Sequence, residues 1–257
     1  MNRIKDLFEH KSKGILSVYF CAGHPTLDGT ADTLKALQNG KVDMVEIGIP
    51  FSDPLADGPT IQQASATALK NGMTLHKLFD QLSNIRHDIH IPLILMGYLN
   101  PILHYGFEAF CKRCQEVGID GLIIPDLPFD QFKAEYLKTT EQYGLEVIFL
   151  VTPETLEARI REIDAYSHAF IYAVSSASVT GAQQSFSDAK QAYFNRLEQM
   201  HLNNPQLVGF GISNRATREA ADAHTAGVIV GSKFVTLLAE KHNAQEAVTA
   251  LVEALQQ

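Results

Sequence analysis

Val42-Asp-Met-Val-Glu-Ile-Gly-Ile-Pro-Phe-Ser-Asp-Pro-Leu-Ala-Asp-Gly-Pro-Thr60 compresses a strand, a stiff acidic loop and the start of a helix into one stretch. The run 44–47 is short and apolar, as a buried strand is. The loop after it is braced by Pro50, Pro54 and Pro59, and Asp57-Gly58-Pro59 reads as a turn into a helix beginning near Thr60. Glu46 interrupts the apolar run. An unpaired buried charge there costs several kcal/mol or shifts its pKa until it is neutralised. Period-two alternation groups Met44, Glu46 and Gly48 on one face and Val45 and Ile47 on the other. The apolar pair suits a covering helix layer, which turns Glu46 the opposite way.

The same unit recurs outward from this stretch. Apolar, β-rich runs at 15–20, 44–47, 93–96, 121–124, 147–151, 169–174, 207–210 and 228–230 alternate with helical patterns such as 30–37, 107–117, 131–143, 156–165 and 216–223. Eight βα units in 257 residues predict an α/β fold, a TIM (β/α)8 barrel spanning 1–257 as one domain. Ile4, Leu7 and Phe8 at helical spacing add an N-terminal helix, and the segment opened by Gly231-Ser232 can form a short phosphate-binding helix after strand eight. An open doubly wound sheet is the alternative. It lacks support, because Phe20-Cys-Ala-Gly-His-Pro25 stands where a G-x-G-x-x-G turn would follow the first strand. The long connection 175–187, rich in Ser and Ala, reads as a mobile lid.

With 21 basic against 29 acidic residues and a net charge of −8, the chain has no electrostatic footprint for nucleic acid or an anionic membrane. No apolar run approaches the roughly 18 residues of a membrane span, and the N-terminus lacks a signal-peptide core. A cytoplasmic protein is expected. Its three cysteines form no disulfide framework. Cys111-Lys-Arg-Cys114 falls inside a helical pattern without a second ligand pair, so no metal site is expected, and Cys21 has no assigned role.

In such barrels function gathers at the C-terminal ends of the strands. Glu46 lies there, with no basic residue near the ends of the neighbouring strands to pair with it. Asp53 and Asp57 follow in the loop, where Asp57 taken alone is a turn residue. Gly209-Phe-Gly211 after strand seven, Gly231-Ser232 after strand eight and Gly181 in the strand-six loop supply close backbone N–H groups and a hydroxyl for a phosphate. Alternation leaves Tyr98 and Phe210 open between barrel core and pocket wall. Other readings are a barrel acting on a different sugar phosphate and a non-catalytic regulatory subunit.

The stretch 45–62 resembles the signature of the tryptophan synthase alpha subunit family. The likeness extends through Ala22-Gly-His-Pro25, Met96-Gly-Tyr-Leu-Asn-Pro101, Pro125-Asp-Leu-Pro128, Val179-Thr-Gly181, Gly209-Phe-Gly-Ile212 and Val230-Gly-Ser232. The resemblance implies a TIM barrel that cleaves indole-3-glycerol phosphate to indole and glyceraldehyde 3-phosphate. It implies no cofactor on this chain, with pyridoxal phosphate only on a partner beta subunit that receives the indole, as an alpha2-beta2 complex. By the same resemblance Glu46 is the general acid/base, Asp57 holds the indole N–H, and Tyr172 is the active-site tyrosine. Tyr98 and Phe210 line the substrate, Thr180 closes the lid, and Gly181, Gly211, Gly231 and Ser232 hold the phosphate. Asp53, Asn100, Pro101 and Pro128 meet the partner. Burial of Glu46 is expected to raise its pKa until it serves as an acid near neutral pH. One departure stands out: Ser175-Ser-Ala-Ser178 lacks the arginine and glycine that many relatives carry before Val-Thr-Gly.

Overall fold

A computed structural model describes residues 2–174, 188–209 and 211–256. The lid stretch 175–187, with Thr180 and Gly181, and the pocket candidate Phe210 lie outside them.

Nine parallel ladder segments form one sheet: β1 (Ile15–Cys21), β2 (Met44–Gly48), β3 (Leu93–Met96), β4 (Gly121–Ile123), β5 (Glu146–Ile148), β6 (Leu150–Val151), β7 (Ile171–Val174), β8 (Gln206–Gly209) and β9 (Gly227–Val230). Their order is β5-β4-β3-β2-β1-β9-β8-β7-β6. The fifth expected strand, 147–151, is divided. Its first half pairs with β4 and its second with β7, while the carbonyl of Phe149 between them accepts from Tyr172 N at 3.0 Å. That handover closes the sheet on itself. The eight-stranded barrel read from the sequence therefore appears with strand five split where it changes partner, and the open-sheet alternative is excluded.

Helices follow the strands in turn. α1 (Arg3–His10) precedes β1, and α2 (Thr30–Asn39) follows it. The pair α3 (Pro59–Lys70) and α4 (Leu75–Leu82) follows β2, and α5 (Leu99–Tyr105) with α6 (Phe107–Val117) follows β3. After β4 come α7 (Phe129–Gln131), a π-helical turn over Phe132–Tyr136, and α8 (Leu137–Gln142). The circuit is completed by α9 (Glu157–Tyr166), α10 (Asp188–Gln199), α11 (Arg215–Asp222), α12 (Ser232–Lys241) and α13 (Ala244–Ala254).

Two apolar clusters follow from strand alternation. Val45, Ile47, Leu93, Leu95, Leu122, Val208 and Val228 pack outward against the helices, while Ile15, Met44, Ile94, Ile123, Ile148, Leu207 and Ile229 fill the barrel. The inward face of β2 is thus the one that carries Glu46.

Helix α1 closes the floor. Its Ile4 is fully buried inside the barrel cluster, worth about 1.5–3 kcal/mol of hydrophobic burial. Asn2 caps the helix by accepting from Ile4 N at 3.0 Å and donates to the Asp120 carbonyl at 2.7 Å. Arg3 pairs with Asp120 at 3.0 Å and Lys5 with Glu146 at 2.8 Å. The floor is sealed, so the opposite end is the one left to function. No helix among the described residues is long and apolar enough to cross a membrane.

Candidate active site

A cavity opens at the C-terminal end of the barrel. Glu46, Tyr19, Met96, Tyr172 and Ile229 form its strand wall, and the starts of helices form its rim: Gly58 to Ile61 at α3, Gly211 to Ser213 ahead of α11, and Gly231 to Lys233 at α12.

Glu46 is fully buried. Its Oε1 accepts from the Ser17 hydroxyl at 3.0 Å, and its Oε2 is buried with no hydrogen-bond partner among the described residues. Burial pushes its carboxyl up to about 8, against the opposing pull of the Ser17 hydrogen bond. A carboxyl so placed is largely protonated at neutral pH.

Asp57 reaches the same cavity from the loop. The turn read at Asp57-Gly58-Pro59 is real, with Asp57 N donating to Pro54 O at 3.1 Å, Gly58 at the N-cap and Pro59 opening α3. The loop is pinned further by Ser65, whose hydroxyl accepts from Phe51 N at 2.7 Å and donates to Phe51 O at 2.8 Å. Tyr98 stacks on Phe51 with ring centroids 5.2 Å apart. Its phenol donates to Asp57 Oδ2 at 3.0 Å and accepts from Ala56 N at 2.9 Å. Burial raises Asp57 to about 6, and the Tyr98 hydrogen bond works against that rise. Two carboxyl groups on one cavity are thus held at different protonation states near neutrality.

Tyr98 is not part of the cavity wall; it holds the loop that delivers Asp57. Tyr172 does line the wall, with its phenol pushed well up by burial and by the nearby Glu46 and Asp57 charges. Gly211, Gly231 and Ser232 line the rim as well. Ser232 opens the ten-residue helix α12, whose N-terminal dipole and free N–H groups favour an anion there. Asp53 is exposed on the loop after β2, Asn100 is exposed and Pro101 half-buried in the first turn of α5 after β3, and Pro128 is exposed just ahead of α7 after β4, all at this same end. Cys111 and Cys114 point into the helix-layer core, and burial raises both thiols.

Ser17, Tyr19 and Lys233 carry no role in the sequence reading but stand at the site. Ser17 and Tyr19 sit on β1, with Tyr19 in register beside Glu46. The alternation of Ile15, Ser17, Tyr19 and Cys21 against Leu16, Val18 and Phe20 marks the inward face of β1, a signal masked because the whole stretch also reads as one apolar run. Lys233 adds a cation beside Ser232 on the rim.

The comparisons with known proteins agree with this geometry. The family model described as "Tryptophan synthase alpha chain" matches residues 6–257. The tryptophan synthase alpha chain of Parabacteroides distasonis is 60% identical over 257 residues, 100% of each chain, and that of Phocaeicola vulgatus is 59% identical over 256 residues, 99% of each. The crystal structure of tryptophan synthase subunit alpha from Legionella pneumophila superposes with a TM-score of 0.89 at 31% identity, covering 100% of this chain and 98% of that one. A barrel whose mouth holds two carboxyl groups of separated acidity, matched along nearly its whole length, belongs to the tryptophan synthase alpha chain family.

Proposed function

We propose that this chain is a carbon–carbon lyase that cleaves indole-3-glycerol phosphate to indole and glyceraldehyde 3-phosphate, the alpha reaction of tryptophan biosynthesis. The observation that carries the reading is the pair Glu46 and Asp57 on one cavity, one raised to about 8 and the other to about 6.

Retro-aldol cleavage needs a proton on indole C3 and loss of a proton from the adjacent glycerol hydroxyl. Glu46, protonated at neutral pH, donates to C3. The resulting indolenine carries positive charge on its ring N–H, which the Asp57 carboxylate stabilises across a desolvated cavity. The carbon–carbon bond then breaks, its electron pair restores the aromatic indole, and the hydroxyl becomes the aldehyde as its proton returns to Glu46. The proton count closes on the same carboxyl. Tyr98 holds Asp57 in place, and Tyr172 packs the indole end of the cavity. Gly211, Gly231, Ser232 and Lys233 take the phosphate at the α12 N-terminus; by family likeness Gly181 joins them, Thr180 closes the lid and Phe210 lines the substrate pocket. The chain needs no cofactor for these steps.

A beta subunit carrying pyridoxal phosphate docks over the mouth, meeting Asp53, Asn100, Pro101 and Pro128 in an alpha2-beta2 complex, and takes the indole onward. Its docking raises turnover by favouring the conformer in which Asp57 is in place. The test is indole release from indole-3-glycerol phosphate by the wild type and Glu46→Gln, each with and without the beta subunit. Indole from the wild type, its loss in the variant, and acceleration by the partner are expected. No release from the wild type even with the partner refutes the reading.

A further inference from the structure

Ser17 stands out in the barrel interior as a polar residue among apolar ones. It is fully buried on β1, in register with Met44 on one side and Ile229 on the other. A hydroxyl buried there needs a partner, and its partner is Glu46 Oε1 at 3.0 Å. The second carboxyl oxygen, Oε2, has none among the described residues.

The asymmetry has a chemical meaning. A carboxyl oxygen that accepts a hydrogen bond is the poorer site for the acid's own proton, since both hydrogens would crowd one oxygen. In the neutral acid, a donor on Oε1 leaves the proton on Oε2. The same contact fixes the carboxyl plane, which otherwise rotates freely about its last torsion.

We propose that Ser17 is a positioning residue for the cleavage reaction: by donating to Glu46 Oε1, it fixes the carboxyl plane and confines the transferable proton to Oε2, the oxygen left for the substrate. This rests on the lyase reading above. Orientation within a few tenths of an ångström governs proton transfer to carbon, so the loss falls on kcat rather than on substrate binding.

The groups around Glu46 allow its titration to be isolated. β1 presents Tyr19 and, one step further, Cys21; β7 presents Tyr172; the loop after β2 presents Asp57; β3 and β9 present Ile94, Met96 and Ile229. Burial keeps both phenols and the thiol protonated through neutral pH, leaving Asp57 as the other group that ionises in that range. The Ser17 hydroxyl donates to Glu46, whereas Asp57 is held by Tyr98. Removing the Ser17 hydroxyl therefore moves one limb of the pH profile and not the other.

The experiment measures indole release against pH by the wild type, Ser17→Ala, Ser17→Thr and Ser17→Cys in complex with the beta subunit. It also follows the Glu46 carboxyl carbon by NMR in 13C-glutamate-labelled protein, assigned by its loss in Glu46→Gln. In Ser17→Ala, kcat is expected to fall about tenfold with KM within twofold. The alkaline limb and the NMR midpoint move to higher pH while the acidic limb stays. Ser17→Thr restores both and Ser17→Cys, a weaker donor, lies between. An active wild type beside an unchanged Ser17→Ala overturns the role of Ser17 alone. A wild type that releases no indole overturns the lyase reading and this role with it. An unmoved NMR midpoint in Ser17→Ala overturns the hydrogen bond itself, whatever the activity.

Discussion

Burial makes Glu46 a proton donor at neutral pH and a cost to stability above it. Its carboxyl moves from an ordinary 4.5 to about 8 on folding, so between these values the unfolded chain ionises while the native group stays protonated. Stability supplied by the neutral acid is complete below about 4.5, declines as pH rises, and is lost above about 8. Glu46→Gln removes the ionisation while keeping the shape. Its advantage over the wild type should grow through that window to on the order of 5 kcal/mol, at about 1.4 kcal/mol per pKa unit. Urea unfolding of both proteins at pH 5 and pH 9 checks this, and a constant difference between them would contradict it. Activity obeys a different rule, since it requires Glu46 protonated and Asp57 ionised. kcat/KM should form a bell whose acidic limb lies near 6 and whose alkaline limb lies near 8. Tyr98→Phe removes the donor that lowers Asp57. The acidic limb should then move to higher pH, with kcat/KM at pH 7 down about tenfold; a limb that stays in place would deny Tyr98 its hold on Asp57.

Strand ends are where glycine matters at the scale of the element. A Cβ on Gly48 would lie 2.1 Å from the Tyr19 phenol oxygen, and one on Gly209 would lie 2.1 Å from the Tyr172 phenol oxygen. In each case an aromatic side chain from a neighbouring strand lies across a bare backbone, so a methyl there forces the ring out toward the cavity it lines. Gly48→Ala and Gly209→Ala should each cost about 2–3 kcal/mol and displace a cavity-lining ring. Denaturant midpoints matching the wild type, with indole release unchanged, would show that the rings can shift. On the helical side, α12 presents its N-terminus with Ser232 and Lys233 at the cavity rim. Lys233→Met removes one charge far from the proton transfers. KM should rise about fivefold with kcat preserved, and the effect should shrink at high salt; an unchanged KM would put the phosphate elsewhere.

For the whole molecule, the floor holds the barrel closed while the mouth does chemistry. Asp120 is buried at the floor, where its Oδ2 accepts from Arg86 at 2.5 Å and from Leu93 N at 2.9 Å, and its Oδ1 from Arg3 at 3.0 Å. One carboxylate thereby joins α1, the turn before β3 and the start of β4. Arg86, lowered to about 10 by burial, also donates to the Gly118, Ile89 and Ile91 carbonyls. Asp120→Ala leaves that guanidinium without its counter-charge and should cost about 3–5 kcal/mol. The two limbs of the pH–rate profile should stay where they are, because Asp120 precedes β4 and the carboxyl pair lies at the other end of the barrel. A shifted limb would mean that floor and mouth are coupled.

The eight strand runs, the inward turn of Glu46 and the turn at Asp57 were all readable in the chain, because alternation and turn chemistry are properties of a few consecutive residues. The glycines at the cavity rim, Gly211 and Gly231, were readable for the same reason. Tertiary structure alone decided the rest. Strand five splits at Phe149 because its two halves find different neighbours. Ser17 meets Glu46 because β1 and β2 pair in a register that no local pattern specifies. Tyr98, left open between core and pocket, turns its phenol to Asp57 because Phe51 and Ala56 meet it there. Above all, the separated acidities of Glu46 and Asp57 belong to the folded barrel. Desolvation and hydrogen bonding come from residues distant in sequence, so a carboxyl acquires its working pKa only when the barrel closes around it.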